Sequence, residues 1–261
     1  MTFTRPSSRT VLERSFATSP VKLFTTRNRG DACWVYSATL GGGLVGGDDI
    51  RMTLDVQPGA RALLATQAST KVYRSLRPTS QSISAMLARD SLLAVMPDPV
   101  VCFAGAHFSQ QQRYELDKDA NLVLVDWITS GRHASGERWA FARYENRIDI
   151  TRDGRRILYD AVTLEHESDA VADRMGRFDV YLTAVITGPL VSSGAHATIA
   201  STSQTPVVAH ADLIESAAVL SDGGTLVRMA GTNVENMGRV LRRRLEFLHP
   251  FLGDDPWSRK W

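Results

Sequence analysis

Cysteine is nearly absent from this chain of 261 residues, with Cys33 and Cys102 the whole complement. Both lie in apolar runs, so two buried thiols in a reducing compartment are expected; two sulfurs at that spacing do not make a metal site. No apolar run approaches the length of a membrane span, and no membrane partner is expected. Neither charge sign dominates, with 30 basic against 28 acidic residues, which argues against a nucleic-acid surface. The opening MTFTRPSSRTVLERSF lacks the apolar stretch of a secretory signal. Its basic, Ser/Thr-rich character, with Glu13 alone acidic, leaves a transit peptide open; otherwise a cytoplasmic protein is expected.

Catalytic signatures are missing as well. GxxxxGK[ST], HExxH and GxSxG do not occur, which removes the phosphate loop, the zincin helix and the usual hydrolase elbow. The six histidines, His107, His133, His166, His196, His210 and His249, show no ligand spacing. Glu165-His166-Glu167 reads first as a solvated charged turn, and second as a transient metal contact. Ser69-Thr70-Lys71 stands without the companion motifs of a serine–lysine site.

What is present is glycine, concentrated at Gly41, Gly42, Gly43, Gly46 and Gly47. Such a density marks backbone that turns tightly or approaches something closely. Gly41-x-Gly43-x-x-Gly46 matches the dinucleotide-binding pattern, but that motif requires a helix to open directly after it. Residues 48–56 instead alternate polar and apolar with period 2, which predicts a strand. The nucleotide reading fails on this context.

In order, residues 1–10 read as a loose terminus and 11–261 as one β domain. Strands are expected over 11–16, 19–24 and 32–38. A meander follows through 49–56, the Pro58-Gly59 turn, 60–66, 71–74, 80–88 and 91–95. Met96-Pro97-Asp98-Pro99 interrupts, since neither proline can donate in a ladder. Further strands are expected at 100–103, 106–115, 121–127, 139–149, 157–162, 178–187 and 225–230. Residues 205–219 are ambiguous: Val207-Val208-Ala209 looks extended and 211–218 could be helical, and 189–219 shows no clear helix. Only 233–248 has helical period, with Thr232 or Asn233 as cap and His249-Pro250 as the stop. Two tryptophans in the tail 250–261, Trp257 and Trp261, predict docking on a partner or on the chain's own body.

About fifteen short strands and one helix make a mostly β protein and exclude doubly wound α/β and TIM-barrel folds. No exact short repeat is visible, which argues against propellers and leucine-rich solenoids. Sandwich, irregular barrel and irregular β-helix remain open.

Polar residues collect where apolar strands end. Thr66, Gln67, Ser69, Thr70, Lys71, Tyr73 and Arg74 follow Ala62-Leu63-Leu64-Ala65; Asp126 breaks the Leu122-Val123-Leu124-Val125 run, with Thr129, Ser130, Arg132, Glu137 and Arg138 beyond it. An inward Asp126 requires a donor, because an unpaired buried carboxylate is very costly. Lys71 and Arg132 are the candidates. The residues serve either as a network fixing strand ends or as a polar passage carrying Asp48, Asp126 and Glu165. Oxygen ligands without a His/Cys set would hold a divalent cation only loosely, which suits hand-over.

These stretches carry a resemblance. Gly42-Gly43-Leu44-Val45-Gly46-Gly47-Asp48 together with Thr66-Gln67-Ala68-Ser69-Thr70-Lys71-Val72-Tyr73-Arg74-Ser75 resembles the urease accessory protein UreD family, called UreH in some bacteria. Pro97-Asp98-Pro99-Val100, Asp126-Trp127-Ile128-Thr129-Ser130-Gly131-Arg132, Gly136-Glu137-Arg138-Trp139, Arg174-Met175-Gly176-Arg177 and the closing Arg259-Lys260-Trp261 agree with it, from about residue 10 to the terminus. The resemblance implies a β-helix-like fold and a non-enzymatic factor that joins a UreF-type partner, the GTPase UreG and apo-urease in a 2:2 or higher complex. It implies no tightly bound cofactor, transient Ni2+ in a tunnel, and GTP and Mg2+ on the partner GTPase. Asp48, Asp126 and Glu165 become the transit candidates. Gly46, Gly47, Thr66, Gln67, Lys71, Tyr73, Arg132, Glu137, Arg239, Arg243, Trp257 and Trp261 become structural or partner-surface residues. Thr39-Leu40-Gly41 departs from the proline-containing approach to the glycine motif that many members have. Two other readings compete: a structural adaptor without metal passage, and a hydrolase using Asp126 with Lys71 or His133.

Overall fold

A computed structural model describes residues 1–26, 30–165, 171–204 and 207–258. The strands are β1 (Thr2–Thr4), β2 (Val11–Arg14), β3 (Val21–Thr26), β4 (Cys33–Thr39), β5 (Asp49–Val56), β6 (Arg61–Thr66), β7 (Thr70–Val72), β8 (Thr79–Leu87) and β9 (Leu92–Met96). They continue as β10 (Val100–Cys102), β11 (His107–Leu116), β12 (Asn121–Thr129), β13 (Arg143–Arg152), β14 (Arg155–Glu165), β15 (Val180–Thr187), β16 (Leu213–Val219) and β17 (Thr225–Gly231). The helices are α1 (Val171–Met175), α2 (Ser192–Ser203), α3 (Val234–Arg244) and α4 (His249–Leu252).

The long strands alternate between two sheets. One runs β14-β13-β11-β8-β5-β1-β2, the other β16-β17-β15-β12-β9-β6-β4-β3, with β7 and β10 paired beside β12. In the first sheet Asp49 stacks on Ser80, Ser80 on Ser109 and Ser109 on Glu145, all in parallel pairs. In the second, Ala62 stacks on Leu93 and Leu93 on Leu122, again in parallel. The chain therefore winds as a β-solenoid in coils of about 30 residues, within the usual repeat range. The expected meander does not form over this stretch. Each turn passes to the opposite sheet, and its backbone is satisfied by the next coil: Leu92 N–H donates to Ala60 O and Asn121 N–H to Ser91 O, both at 2.9 Å. A turn signal such as Pro58-Gly59 announces a change of direction but not which strand is met after it.

Between the sheets lies one apolar core. Leu54, Val56, Ile83, Leu87, Tyr114 and Ile148 face Val35, Leu64, Leu93, Val95, Leu122 and Leu124. All nine residues of β12 are buried, because its other face, through Val123, Val125 and Trp127, packs in a second core with Met237, Leu241, Leu248, Leu252 and Trp257. Burial on both faces explains the unbroken apolar run there. Trp257 thus docks on the chain's own body, while Trp261, Arg259 and Lys260 lie outside the described residues.

Several expectations need correction. The terminus is not loose at Thr2–Thr4, which pairs with β5 and β2 and buries Phe3 completely. The segment 189–219 does contain a helix, α2, and 211–218 falls in a strand, β16, not a helix. Ser, Thr and Ala give α2 little local signal. It is fixed by packing: a Cβ on Gly194 would come within 2.6 Å of the Phe247 ring. Val207-Val208-Ala209 forms no strand. The strand foreseen at 139–149 begins at Arg143, because Trp139 takes φ 53.

Helix α3 ends at Arg244, and a 3-10 turn leads into α4, which His249-Pro250 opens instead of stopping the helix; proline at N1 or N2 suits a helix start. Asn233 is the α3 cap, its Oδ1 accepting from Asn236 N–H at 2.7 Å, with Glu235 in the first turn and Arg242, Arg243 and Arg244 in the last. Asn233→Ala is expected to cost about 1 kcal/mol, read as a lowered urea midpoint at unchanged slope.

Candidate functional site

The alternation of β11 turns Phe108, Gln110, Gln112, Tyr114 and Leu116 inward, so two amides enter an otherwise apolar interior. Across from them Asp126 points inward from β12 and is 6% exposed. Gln112 Nε2 donates to Asp126 Oδ2 at 2.6 Å, and Gln110 Nε2 donates to the same oxygen. Asn146 Nδ2 at 3.0 Å and the Tyr144 hydroxyl at 3.3 Å donate to Oδ1. Gln81 Nε2 steadies Gln110 Oε1 at 3.2 Å, and the Tyr114 hydroxyl steadies Gln112 Oε1 at 2.9 Å. The expected donors, Lys71 and Arg132, are not the ones used. Neutral amides and a phenol solvate this carboxylate instead of a countercharge. Burial pushes the Asp126 carboxyl up to about 6, the Gln112, Gln110 and Tyr144 hydrogen bonds pull it back, and the Asp160 charge adds to the rise. At neutral pH it is mostly ionised.

A cavity of about 280 Å³ connects this floor with the surface. Buried Gln110, Gln112 and Asp126 line one end; Gly42, Gln67, Ala68 and Lys71, all exposed, line the other. The rim is built by the two motifs that stood out in sequence. Leu44 N–H donates to Lys71 O at 2.8 Å and Tyr73 N–H to Leu44 O at 2.9 Å, so the glycine loop lies directly on 71–77. That approach requires glycine: a Cβ on Gly46 would fall 1.4 Å from Ser75 Oγ. Gly47 beside it takes φ 89 and donates its N–H to Pro78 O. Thr66 Oγ1 accepts from Asp98 N–H at 2.7 Å, which anchors the Pro97-Asp98-Pro99 break to the end of β6. Tyr73 meets Phe103 edge-on at 4.9 Å, and the Arg132 guanidinium lies over the Phe103 ring, 4.3 Å from its centroid. Arg132 also pairs with Glu137, whose Oε2 accepts from Ala104 N–H at 3.0 Å. Tyr73, Arg132 and Glu137 therefore brace the rim.

The three transit candidates are not brought together. Asp126 forms the cavity floor. Asp48 does not line the cavity; its Oδ2 accepts from Val45 N–H at 2.8 Å and closes the glycine turn. Glu165 lies at the end of β14, 2.5 Å from Arg143, also outside the lining, and His166 and Glu167 lie outside the described residues. Among the described residues no three His, Cys, Asp or Glu side chains gather to hold a metal ion. The hydrolase constellation is not assembled either. His133 lies 4.0 Å from Asp179 and does not line the cavity, and Lys71 lines the rim without bonding Asp126. Gln81, Gln112, Tyr114, Tyr144 and Asn146 went unnoticed as site residues. Their signal was available: glutamine at successive inward positions of a period-2 strand has to find polar company.

On α3, Arg239 and Arg243 are exposed, and Arg239 Nη1 reaches Asn236 Oδ1 at 3.3 Å. No described helix is long and apolar enough to cross a membrane.

Comparison with known proteins gives one consistent result. The model of the family described as UreD urease accessory protein matches residues 1–261. Urease accessory protein UreD of Sorangium cellulosum (strain So ce56) is 49% identical over 261 residues, covering 100% of this chain and 83% of that protein. Urease accessory protein UreD of Anaeromyxobacter sp. (strain Fw109-5) is 41% identical over 245 residues, 93% of this chain and 82% of its own. Urease accessory protein D of Oryza sativa subsp. indica is 33% identical over 279 residues, 95% and 91% respectively.

Proposed function

Because the chain belongs to the UreD urease accessory protein family, we propose that it is a cytoplasmic maturation factor that passes Ni2+ toward the urease active site through the cavity ending on Asp126. The observation that carries this reading is an ionisable carboxylate buried at the floor of a cavity whose rim is exposed. A carboxylate held by neutral dipoles keeps its charge without a competing cation, so it attracts an ion. Oxygen donors release nickel readily, which suits cargo more than a resident metal. In this reading a UreF-type protein and a UreG-type GTPase join the chain and dock it on apo-urease, in a 2:2 or higher assembly. GTP and Mg2+ are bound by the GTPase, in keeping with the absent phosphate loop here. Arg239 and Arg243 on α3 supply partner surface, and the protein itself carries out no catalysis.

The test is GTP-dependent activation of apo-urease by the full assembly. Asp126→Ala is expected to abolish activation while the partners still co-purify. Unchanged activation would sink the passage and leave the chain as a structural adaptor. Asp48→Ala removes one turn hydrogen bond and is expected to cost about 1 kcal/mol of stability while leaving activation intact. Loss of activation with full stability would return Asp48 to the passage.

A further inference from the structure

The wall of the cavity changes character from coil to coil. On the first sheet the coil nearest the rim contributes Ile50 and Met52, the next Gln81 and Ile83, and the third Gln110 and Gln112, each pair stacked in parallel on the one before. Leu64 and Val95, stacked on each other, line it from the second sheet, and Asp126 closes the inner end. Amides thus replace hydrocarbon with depth, and the last group is a carboxylate. A gradient of this kind fits an amphiphilic occupant whose charged head lies innermost and whose hydrocarbon lies along the outer coil.

Asp126 can receive such a head without stranding a donor. Its Oδ2 is the oxygen on the cavity side: Gln110 and Gln112, which donate to it, line the cavity, whereas Asn146 and Tyr144, which donate to Oδ1, do not. Gln110 Nε2 has a second acceptor in Asn146 Oδ1 at 3.2 Å, so an incoming N–H can take its place on Oδ2. A guanidinium suits this position better than an ammonium. It presents several N–H groups in one plane to a carboxylate and gives up its water more readily. The exposed Lys71 at the rim disfavours a second positive charge at the outer end of the tail. The volume of about 280 Å³ lies below the roughly 300–1,000 Å³ of sites for drug-sized ligands, so the tail is short.

We propose that the cavity is a binding site for a small amphiphilic monocation, an alkylguanidinium with its head on Asp126 Oδ2 and its chain along Ile50, Met52 and Leu64. The site is independent of nickel passage, which competes with it only for the Asp126 carboxylate. Asp98, the other carboxylate of the lining, accepts from Thr66 Oγ1 at 3.2 Å and is the rival anchor.

The test is isothermal titration of the purified chain with the series from methylguanidinium to hexylguanidinium, at fixed ionic strength and pH 7.5, where Asp126 is ionised. Affinity is expected to rise about fourfold with each methylene, the value of one buried CH₂. Asp126→Asn, which keeps the side-chain volume, is expected to weaken hexylguanidinium about thirtyfold, as the loss of one partner of a buried charge pair does. An affinity independent of tail length overturns the site, and this reading needs no variant to fold. An affinity unchanged in Asp126→Asn overturns the anchor, and its loss in Asp98→Asn instead would hand that role to the rival.

Discussion

Gly46→Val is expected to lower the unfolding free energy by about 3 kcal/mol, the upper end for overpacking, and to disrupt the cavity rim before the core. The first carbon added would lie 1.4 Å from Ser75 Oγ, 2.4 Å from Ser75 Cβ and 3.0 Å from Arg77 O. The side-chain oxygen can rotate; Ser75 Cβ and the Arg77 carbonyl cannot yield without moving backbone. That backbone also holds the loop, through Gly47 N–H to Pro78 O and Leu44 N–H to Lys71 O. Thermal unfolding gives the magnitude, and hydrogen exchange at 44–47 and 71–77 gives the location. Ser75→Gly in the same chain removes the two nearest atoms and is expected to restore part of the loss when Gly46 becomes alanine. Equal stability of Gly46→Val and wild type would mean that the two motifs do not touch as described.

Asp126→Asn is expected to stabilise the protein at neutral pH while ending the nickel passage proposed above. The folded carboxyl lies at about 6 against an ordinary 3.8, with burial the largest cause. Between those values the folded chain binds more protons than the unfolded one, so stability falls as pH rises through the window and stays lower above it. The full penalty is about 3 kcal/mol. Asparagine never ionises and escapes it. Its amide brings one acceptor where the carboxylate had two, so both donors on the replaced oxygen, Asn146 with Tyr144 or Gln110 with Gln112, lose a partner, and about 1 kcal/mol of net gain at pH 7.5 is expected. The diagnostic quantity is the stability difference between variant and wild type, measured by urea unfolding from pH 4 to 7.5. It is expected to grow between 4 and 6 and then level off. A difference independent of pH would show that Asp126 titrates as if in water.

Much of this was legible in the chain. The period-2 stretches located most strands, and the GGGLVGGD and TQASTKVYRS motifs located the rim. The failure of the nucleotide reading followed from the strand after Gly47. The winding was not legible, because a coil repeat in this fold preserves backbone register and inward burial, not residue identity. Ser82 stacks on Arg51 and Gln111 on Ser82, and no shared letter betrays a repeat. The partners of Asp126 were hidden for the same reason. Gln110 and Asn146 reach it from the facing sheet, and only parallel stacking places them there. Helix α2 was hidden because Gly194 and Thr198 are set by tertiary packing and back-bonding, with Thr198 Oγ1 donating to Gly194 O at 2.8 Å.

The Trp34 indole donates to Leu252 O at 3.1 Å across a separation of 218 residues. Coil upon coil can be laid down in the order of synthesis, each needing only its predecessor, as in other stacked repeats. Trp34 belongs to an early coil, yet its outer face stays uncovered until Leu252 has left the ribosome. The cavity walls are complete long before this seal closes. A nascent chain thus presents an assembled cavity on an unfinished body, and the apolar back of the second sheet is its most aggregation-prone surface during that interval.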